Sequence, residues 1–560
     1  MALRVPKSTL PQLFRDGYKI QQGVDEAVLR NIEATHELSE VVRTSMGPNG
    51  RNKMIINHLE KLFVTNDAAT IIRELEVVHP AAKLLVMASQ QQESELGDNT
   101  NFVIVFAGAL LQKAEHLLRL GLHPSEIVQG YELARDRALE ILPELSVGTV
   151  GDLFSKDNLK KAIRSAISAK QIGYEDLLGD LVVEAASNIM PKNPKDFNVD
   201  NIRVVKVMGS SLHESRVVRG MVFGREPEGV VQNVTQAKVA IFTCPLDAAQ
   251  TETKGTVLIH NAQEMLNFSK DEEKHMEKIF QELADAGVNV VVTGAGIGEL
   301  ALHYLNRFNI MAVKVLSKFD LRRLCRVVGG TALARMGAPM AEEMGYCDVV
   351  ETVEIGSDRV TVFRQEQSET SRTTTIVIRG ATQNHMDDIE RAIDDGVNVI
   401  KAVTRDDRLL AGAGAVEMEL NKRLQTVAAK TPGLNQHSIK KFAEALEIVP
   451  RTLCDNAGMD ATATLSRLYA AHYQESGSGA NVGVDVENNN DGTLDAVKAD
   501  IYDIVAAKFW ALKLAADTAI TILRVDQVSH QAIKKDELII MSKPAGGPKA
   551  PKQQGHWDQD

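Results

Sequence analysis

Apolar residues recur at helical spacing over four long stretches early in the chain: 25–42, 80–93, 102–119 and 125–142. The third differs in kind. Phe102-Val103-Ile104-Val105-Phe106-Ala107-Gly108-Ala109-Leu110-Leu111 is apolar on every side, which predicts a helix buried all round. Amphipathic helices are predicted over 155–169 and 174–189. After the Pro191 to Pro194 turn the period shortens. Residues 202–208 open a β-rich zone, and from about 217 to 362 short strands alternate with helices. Strands are predicted at 239–242, 288–292 and 311–313, and a further one at 374–378 leads out of the zone. Helical spacing returns over 386–403, 417–429, 439–446 and 464–473, and a final helix is predicted over 503–523. The stretch after Met541 is rich in Pro, Gly and Lys and predicts disorder. The fold class is therefore multidomain α and α/β: an α-rich opening and an α-rich close around an α/β centre.

Short apolar runs add a second kind of signal. Residues 53–57 and 62–65 predict a hairpin around 58–61, and Leu538-Ile539-Ile540-Met541 predicts one more strand. Such strands leave unpaired backbone edges that invite another chain. Residues 529–537, just before the last strand, read as an insertion that lengthens a loop.

The chain has 560 residues, too many for one core, and two to four domains are expected. A formal charge of −12 with no basic block argues against nucleic acid as the main partner. The longest apolar run is about half of what a membrane-crossing helix needs. The opening Met1-Ala2-Leu3-Arg4-Val5-Pro6-Lys7 lacks a signal-peptide core, so no membrane and a cytoplasmic location are expected. Cys244, Cys325, Cys347 and Cys454 are scattered without a CxxC spacing and read as reduced, mostly buried thiols.

Candidate chemistry begins at Gly97-Asp98-Asn99-Thr100-Asn101, directly ahead of the all-apolar run. A helix start has free N–H groups and partial positive charge, which suit a phosphate. A carboxylate there repels phosphate unless a cation lies between them, so Asp98 suggests Mg²⁺-nucleotide. The alternative is a helix cap made of Asp98, Asn99 and Thr100. Val64-Thr65-Asn66-Asp67-Ala68-Ala69-Thr70 offers a second carboxylate at a strand-to-helix turn, and Thr44 to Lys53 forms a turn-rich loop upstream. The turn Gly412-Ala413-Gly414 lies at the other end of the chain. A nucleotide that needs both ends requires them to form one domain, with the centre inserted.

The central segment Val290-Val291-Val292-Thr293-Gly294-Ala295-Gly296-Ile297-Gly298, with Asp320 beyond the next strand, offers a competing reading as an NAD(P)-dependent oxidoreductase. Its glycines follow G-x-G-x-G rather than G-x-G-x-x-G, and Tyr346 is followed four residues on by Val350 rather than by lysine.

These segments, taken in order, resemble the group II chaperonins, whose corresponding loops read close to TLGPKG, TNDGATI and GDGTT. The link His79-Pro80-Ala81-Ala82-Lys83-Leu84-Leu85 also matches. Later landmarks follow in the family's order: Glu390 to Asp395, Gly412 to Glu417, Asn456 to Asp460 and Ile522 to Asp526. The resemblance covers nearly the whole chain. Ala68, Asn101 and the tail 542–549 are similar to one subunit type of the eukaryotic cytosolic members.

The resemblance implies an equatorial domain from 1–150 and 407–541, an intermediate domain from 151–216 and 372–406, and an apical domain over 217–371. The apical domain would carry a helical lid protrusion at about 246–282, and a disordered tail would cover 542–560. It implies an ATPase coupled to protein folding, with ATP and Mg²⁺ as cofactors and Asp98 as the metal contact. Asn99, Thr100 and Asn101 would hold phosphates, and Gly47 and Pro48 would allow close backbone approach. Asp67 and Asp395 would orient the attacking water; Asp395 is chosen over its neighbour Asp394 because it matches the family's position. Lys170 would sense the terminal phosphate, Gly412 and Gly414 would approach ribose or phosphate, Asn456, Ala457 and Gly458 would flank the adenine, and Asp503 would reach the ribose. The implied partners are seven paralogous subunits in a double ring and non-native clients, cytoskeletal actin and tubulin among them. Asn99 and Ala413 replace family glycines, so slow turnover in a structural ring subunit is the second reading.

Overall fold

Buried apolar side chains gather into several cores, and the largest draws on both ends of the chain. In a computed structural model, which describes residues 18–20, 24–247, 262–356, 358–365, 373–474, 479–487, 491–525 and 529–531, this core joins residues between 28 and 142 to residues between 410 and 523. Its helices are α1 (Val24–Arg43), α2 (Ala68–Glu74), α3 (Pro80–Leu96), α4 (Thr100–Arg119) and α5 (Pro124–Ile141) from the first part.

A second core joins α6 (Lys156–Ser168) and α7 (Glu175–Ile189) to a long helix described below. Three more cores lie on the two faces of a large sheet in the middle third, and a small one gathers Met418, Cys454, Leu465, Leu468 and Val484. That sheet has nine strands in the order Ile202–Met208, Thr374–Gly380, Arg216–Phe223, Asp358–Arg364, Gly345–Ile355, Asn233–Phe242, Val290–Thr293 and Met311–Lys314, with Ala332–Leu333 also pairing with Asn233–Phe242. The neighbours Asn233–Phe242, Val290–Thr293 and Met311–Lys314 run parallel. Parallel neighbours need crossovers, and α8 (Ala262–Asp285) and α9 (Glu299–Arg307) lie in those connections, with α10 (Lys318–Val328) after them.

The helix that completes the second core is α11 (Gln383–Arg405). Beyond it come α12 (Ala415–Lys430), α13 (Asn435–Ala445), α14 (Ile448–Ala457), α15 (Ala461–His472) and α16 (Val505–Leu523). Helix α4 is buried through Phe102 to Leu111, as its all-apolar pattern requires, and packs against α1, α3, α13 and α16. Phe106 meets Phe442 of α13 edge-on at 5.6 Å. Gly108 of α4 lies so close to Ser39 of α1 that a Cβ there would fall 2.4 Å from the serine Oγ.

The two ends of the chain also share backbone. Arg408–Ala411 pairs with Tyr502–Ile504 on one side and Gly148–Thr149 on the other, and Tyr18–Ile20 pairs with Ser529–Gln531.

Three expectations change. The last helix starts at Val505 rather than 503, because Tyr502-Asp503-Ile504 is a strand in register with Leu409–Ala411. The stretch predicted as an inserted loop at 529–537 contributes Ser529–Gln531 as a strand. The glycine turn at 294–298 is no dinucleotide site: a Cβ on Gly298 would lie 2.4 Å from Asp247 Oδ1, so a carboxylate already fills the start of α9. Asp320 is spent on ion pairs with Arg203 and Arg323. The predicted strand at 538–541 and the tail lie outside the described residues, as do residues 248–261 of the expected lid protrusion. Among the described residues no helix is long and apolar enough to cross a membrane. Cys347 and Cys454 are buried, Cys244 and Cys325 only partly, and all four are free.

Candidate functional site

Several helix ends and the loop from Ser45 to Asn49 converge on a cavity of about 600 Å³. The loop is held from behind by Asn456, whose Nδ2 donates to the carbonyls of Arg43 at 3.1 Å and Met46 at 2.8 Å. Gly47 sits at φ 83°, and a Cβ there would strike Leu453 at 2.6 Å. The turn is therefore a position for glycine, both for its left-handed backbone and for the close approach.

Helix α3 ends at Gly97, and α4 begins one turn later. Asn99 stands at φ 64°, in the left-handed region that asparagine tolerates better than most residues. It makes no side-chain cap to α4. Asp98 does not cap the helix either: its carboxylate accepts from the backbone and side-chain nitrogens of Asn99 at 2.6 and 3.2 Å. The capping alternative thus loses its usual geometry. Burial raises the Asp98 carboxyl above its ordinary value, and the like charge of Asp503 adds to this. Asp98, Asn99, Thr100, Asn101 and Asp503 all line the cavity.

Opposite them, Lys170 follows α6 and donates from Nζ to Asp67 Oδ1 at 2.5 Å and pairs with Asp395 Oδ2 at 3.1 Å. Asp67 caps α2, with Oδ2 accepting from the Thr70 backbone at 3.0 Å and its hydroxyl at 2.7 Å. Burial alone would raise Asp67, but Lys170 and Thr70 hold it below the usual carboxylate range. Burial also pushes Asp395 well above that range, against the pull of Lys170 and with the push of Asp67 and Asp98. For Lys170 burial opposes the charge, yet the two aspartates win and hold it above the usual lysine value. One lysine between two carboxylates has one carboxylate too many for neutrality. The pair titrates as a unit in which Asp67 keeps its charge and Asp395 takes up the proton more easily. Asp395 faces inward on α11, and its neighbour Asp394 is exposed.

The third wall is the turn at 412–414. The Gly412 N–H donates to the Ile501 carbonyl at 3.0 Å, and the Ala413 carbonyl accepts from Val484 N–H at 2.9 Å. Ala413 is left-handed at φ 55° and Gly414 at φ 79°. Ala413 and Gly414 line the cavity, while Gly412, Asn456, Ala457 and Gly458 do not; Leu453 of α14 is the lining residue nearest the last three in sequence.

Sequence reasoning missed several lining residues: Arg164, Asp485, Leu494, Asp500 and Lys508. Lys508 had a legible signal, a lysine at the head of the apolar helix Val505–Leu523. Asp485 and Asp500 had none, since both read as ordinary turn residues. No cluster of three or more His, Cys, Asp or Glu suited to a metal occurs among the described residues. A cation held here would take one or two protein carboxylates and find its other oxygens elsewhere. That is the habit of Mg²⁺ shared with phosphates, so Asp98 fits the role.

The TCP-1/cpn60 chaperonin family model matches residues 38–532 of the chain. The chain is 60% identical over 560 residues to the probable T-complex protein 1 subunit theta of Schizosaccharomyces pombe, with all of both chains covered. It is 52% identical over 561 residues to the T-complex protein 1 subunit theta of Homo sapiens and 51% over 578 residues to that of Saccharomyces cerevisiae, again with both chains covered throughout. The chain belongs to the TCP-1/cpn60 chaperonin family.

Proposed function

We propose, from this membership, that the chain binds and hydrolyses ATP as one subunit of a cytoplasmic hetero-oligomeric chaperonin. The observation that carries the reading is the Asp67–Lys170–Asp395 constellation, set beside a cavity to which both halves of the chain contribute. Lys170 presents a buried cation to a terminal phosphate. Asp395 Oδ2, apart from its ion pair, is a buried acceptor with no hydrogen-bond partner, suited to orienting a water. Asp67 holds Lys170 and stays charged. The α4 start and the Gly47 loop offer N–H groups to phosphates, and Asp503 offers a carboxylate to the ribose. Mg²⁺, when bound at Asp98, supplies charge compensation for the phosphate oxygens.

The shared core of residues 28–142 and 410–523 supports an equatorial domain from 1–150 and 407–541. The second core supports an intermediate domain from 151–216 and 372–406, and the sheet cores support an apical domain over 217–371. Lys170 and Asp395 belong to the intermediate part and Asp67 to the equatorial part, so loss of the terminal phosphate changes how the two are held together. In this reading that change moves the apical domain and encloses a non-native client, actin or tubulin among them. The ring would comprise this chain and seven paralogues.

Asp395→Ala in this chain alone, within an otherwise wild-type ring, tests the proposal. Turnover at this site should fall by about 10²–10⁴-fold with assembly intact. Unchanged turnover of the ring would instead favour a structural subunit that binds nucleotide and hydrolyses it little, a reading that Asn99 and Ala413 in glycine-type conformations keep open.

A further inference from the structure

Lys508 is an anomaly in its own helix. It sits in the first turn of α16, where the helix dipole disfavours a positive charge. It is only 7% exposed, although burying an ammonium is costly unless it is paired. Three contacts explain its presence. Nζ lies 2.6 Å from Glu417 Oε1, 3.2 Å from Asp503 Oδ2, and 4.7 Å from the ring centroid of Phe102, over its face. Glu417, itself 2% exposed, is in the first turn of α12, just beyond the Gly412–Gly414 turn. Phe102 is in the first turn of α4, just beyond Asp98. Asp503 is on the strand that pairs with Leu409–Ala411. One ammonium therefore ties the start of α12 and the strand Tyr502–Ile504, both from the far end of the chain, to the start of α4.

The local charges are also informative. Lys508 faces Glu417 and Asp503, and Asp98 stands on the same cavity wall as Asp503 and Lys508. Without Lys508, Asp503 would have no cation within ion-pair distance among the described residues.

We infer that Lys508 is a positioning residue for nucleotide binding: it fixes the Asp503 carboxylate on the cavity wall in the orientation that accepts from a ribose hydroxyl. This rests on the nucleotide reading above. The ammonium lies within ion-pair distance of both carboxylates and holds one Asp503 oxygen toward itself, which leaves the other for the cavity. Phe102 supplies a cation–π contact that keeps the lysine from following its carboxylates outward.

The test measures binding of ATP and of 2′,3′-dideoxy-ATP, each with Mg²⁺, to the full-length chain by titration calorimetry. The wild-type chain should prefer ATP. Lys508→Met, which keeps length and apolar packing, should bind ATP about tenfold more weakly and the dideoxy analogue about as before, so the preference collapses. A purely structural role would weaken both ligands together. Asp503→Asn gives the same signature independently if Lys508→Met does not fold, and adding Lys508→Met to it should change the preference no further. A wild-type chain that binds no ATP sinks the nucleotide reading itself. A wild-type chain that binds ATP while indifferent to the ribose hydroxyls overturns this inference alone. So does a preference that survives either substitution, or a parallel loss of both ligands.

Discussion

Asn101 and Ala68 both depart from the residues usual in the family, and they touch. Asn101 Oδ1 accepts from the Ala68 N–H at 3.1 Å, while its Nδ2 donates to the Ser45 carbonyl at 3.2 Å. One amide thus joins the α4 start to the α2 start and to the Gly47 loop. Ala413 has a similar counterpart. Its Cβ, in place of a glycine hydrogen, fits because residue 483 is glycine: a Cβ there would lie 2.7 Å from the Ala413 carbonyl and 2.8 Å from its Cβ. Gly483→Ala should therefore push the 412–414 turn into the cavity, cost about 1–3 kcal/mol in stability and weaken nucleotide binding, read as a lower unfolding midpoint and a lower affinity. At this scale the sequence was only partly legible. Carboxylates, glycines and hydroxyls at helix starts show in the pattern of types, but Lys170 and Asp395 look like surface charges until the resemblance singles them out. Arg164 escaped because a lone cation carries no mark of what it faces, and Lys508 because its place at the head of an apolar helix does not say which carboxylates it meets.

The hairpin Lys53–Ile56 with Leu62–Thr65 is the element least explained by the chain itself. Met54 is 70% exposed, Ile56 67% and Leu59 72%, an apolar face with no cover in the monomer. Its turn is rigid: Asn57 Oδ1 accepts from the backbone of Leu59 at 2.9 Å and Lys61 at 3.1 Å. A fixed strand with bare apolar side chains suits pairing with a neighbouring chain. Met54→Lys with Ile56→Lys should leave the unfolding midpoint of the isolated chain nearly unchanged, within about 0.5 kcal/mol each, and should shift the protein from ring to smaller species in size-exclusion chromatography. Helices with long periodic faces were legible, as α4 and α11 illustrate. Helix α14 was not, because Pro450 in its first turn reads as a break although proline is tolerated there. Asp503 was read as helix because a three-residue strand is too short to declare a period, and its partner Leu410 is 93 positions away.

For the molecule as a whole, the cavity joins residues 45–49 and 98–102 to residues 413–414 and 500–508. Hydrogen exchange with and without MgATP should therefore show protection appearing together in segments around 44–50, 97–101, 411–414 and 499–504, although hundreds of residues separate them. Protection confined to one end of the chain would contradict a site shared by both. This wholeness was legible from an indirect argument, that two sets of phosphate-type turns lie at opposite ends of the chain, rather than from any local pattern. The nine-stranded sheet order was not legible, because strand neighbours such as Ile202–Met208 and Thr374–Gly380 are set by contacts no periodicity encodes.

The shared core also sets a timetable for synthesis. Helix α4 is made apolar on all sides for partners that include α13 and α16. Roughly 400 residues must follow Asp98 before Asp503 is made, which at about 5–20 residues per second takes the ribosome some 20–80 seconds. Until α13 emerges the apolar surface of α4 has only α1, α2, α3 and α5 to cover it, and α16 comes later still. A newborn chain of this kind is itself an aggregation-prone client, and its abundance should depend on the holding chaperones present while it is being translated.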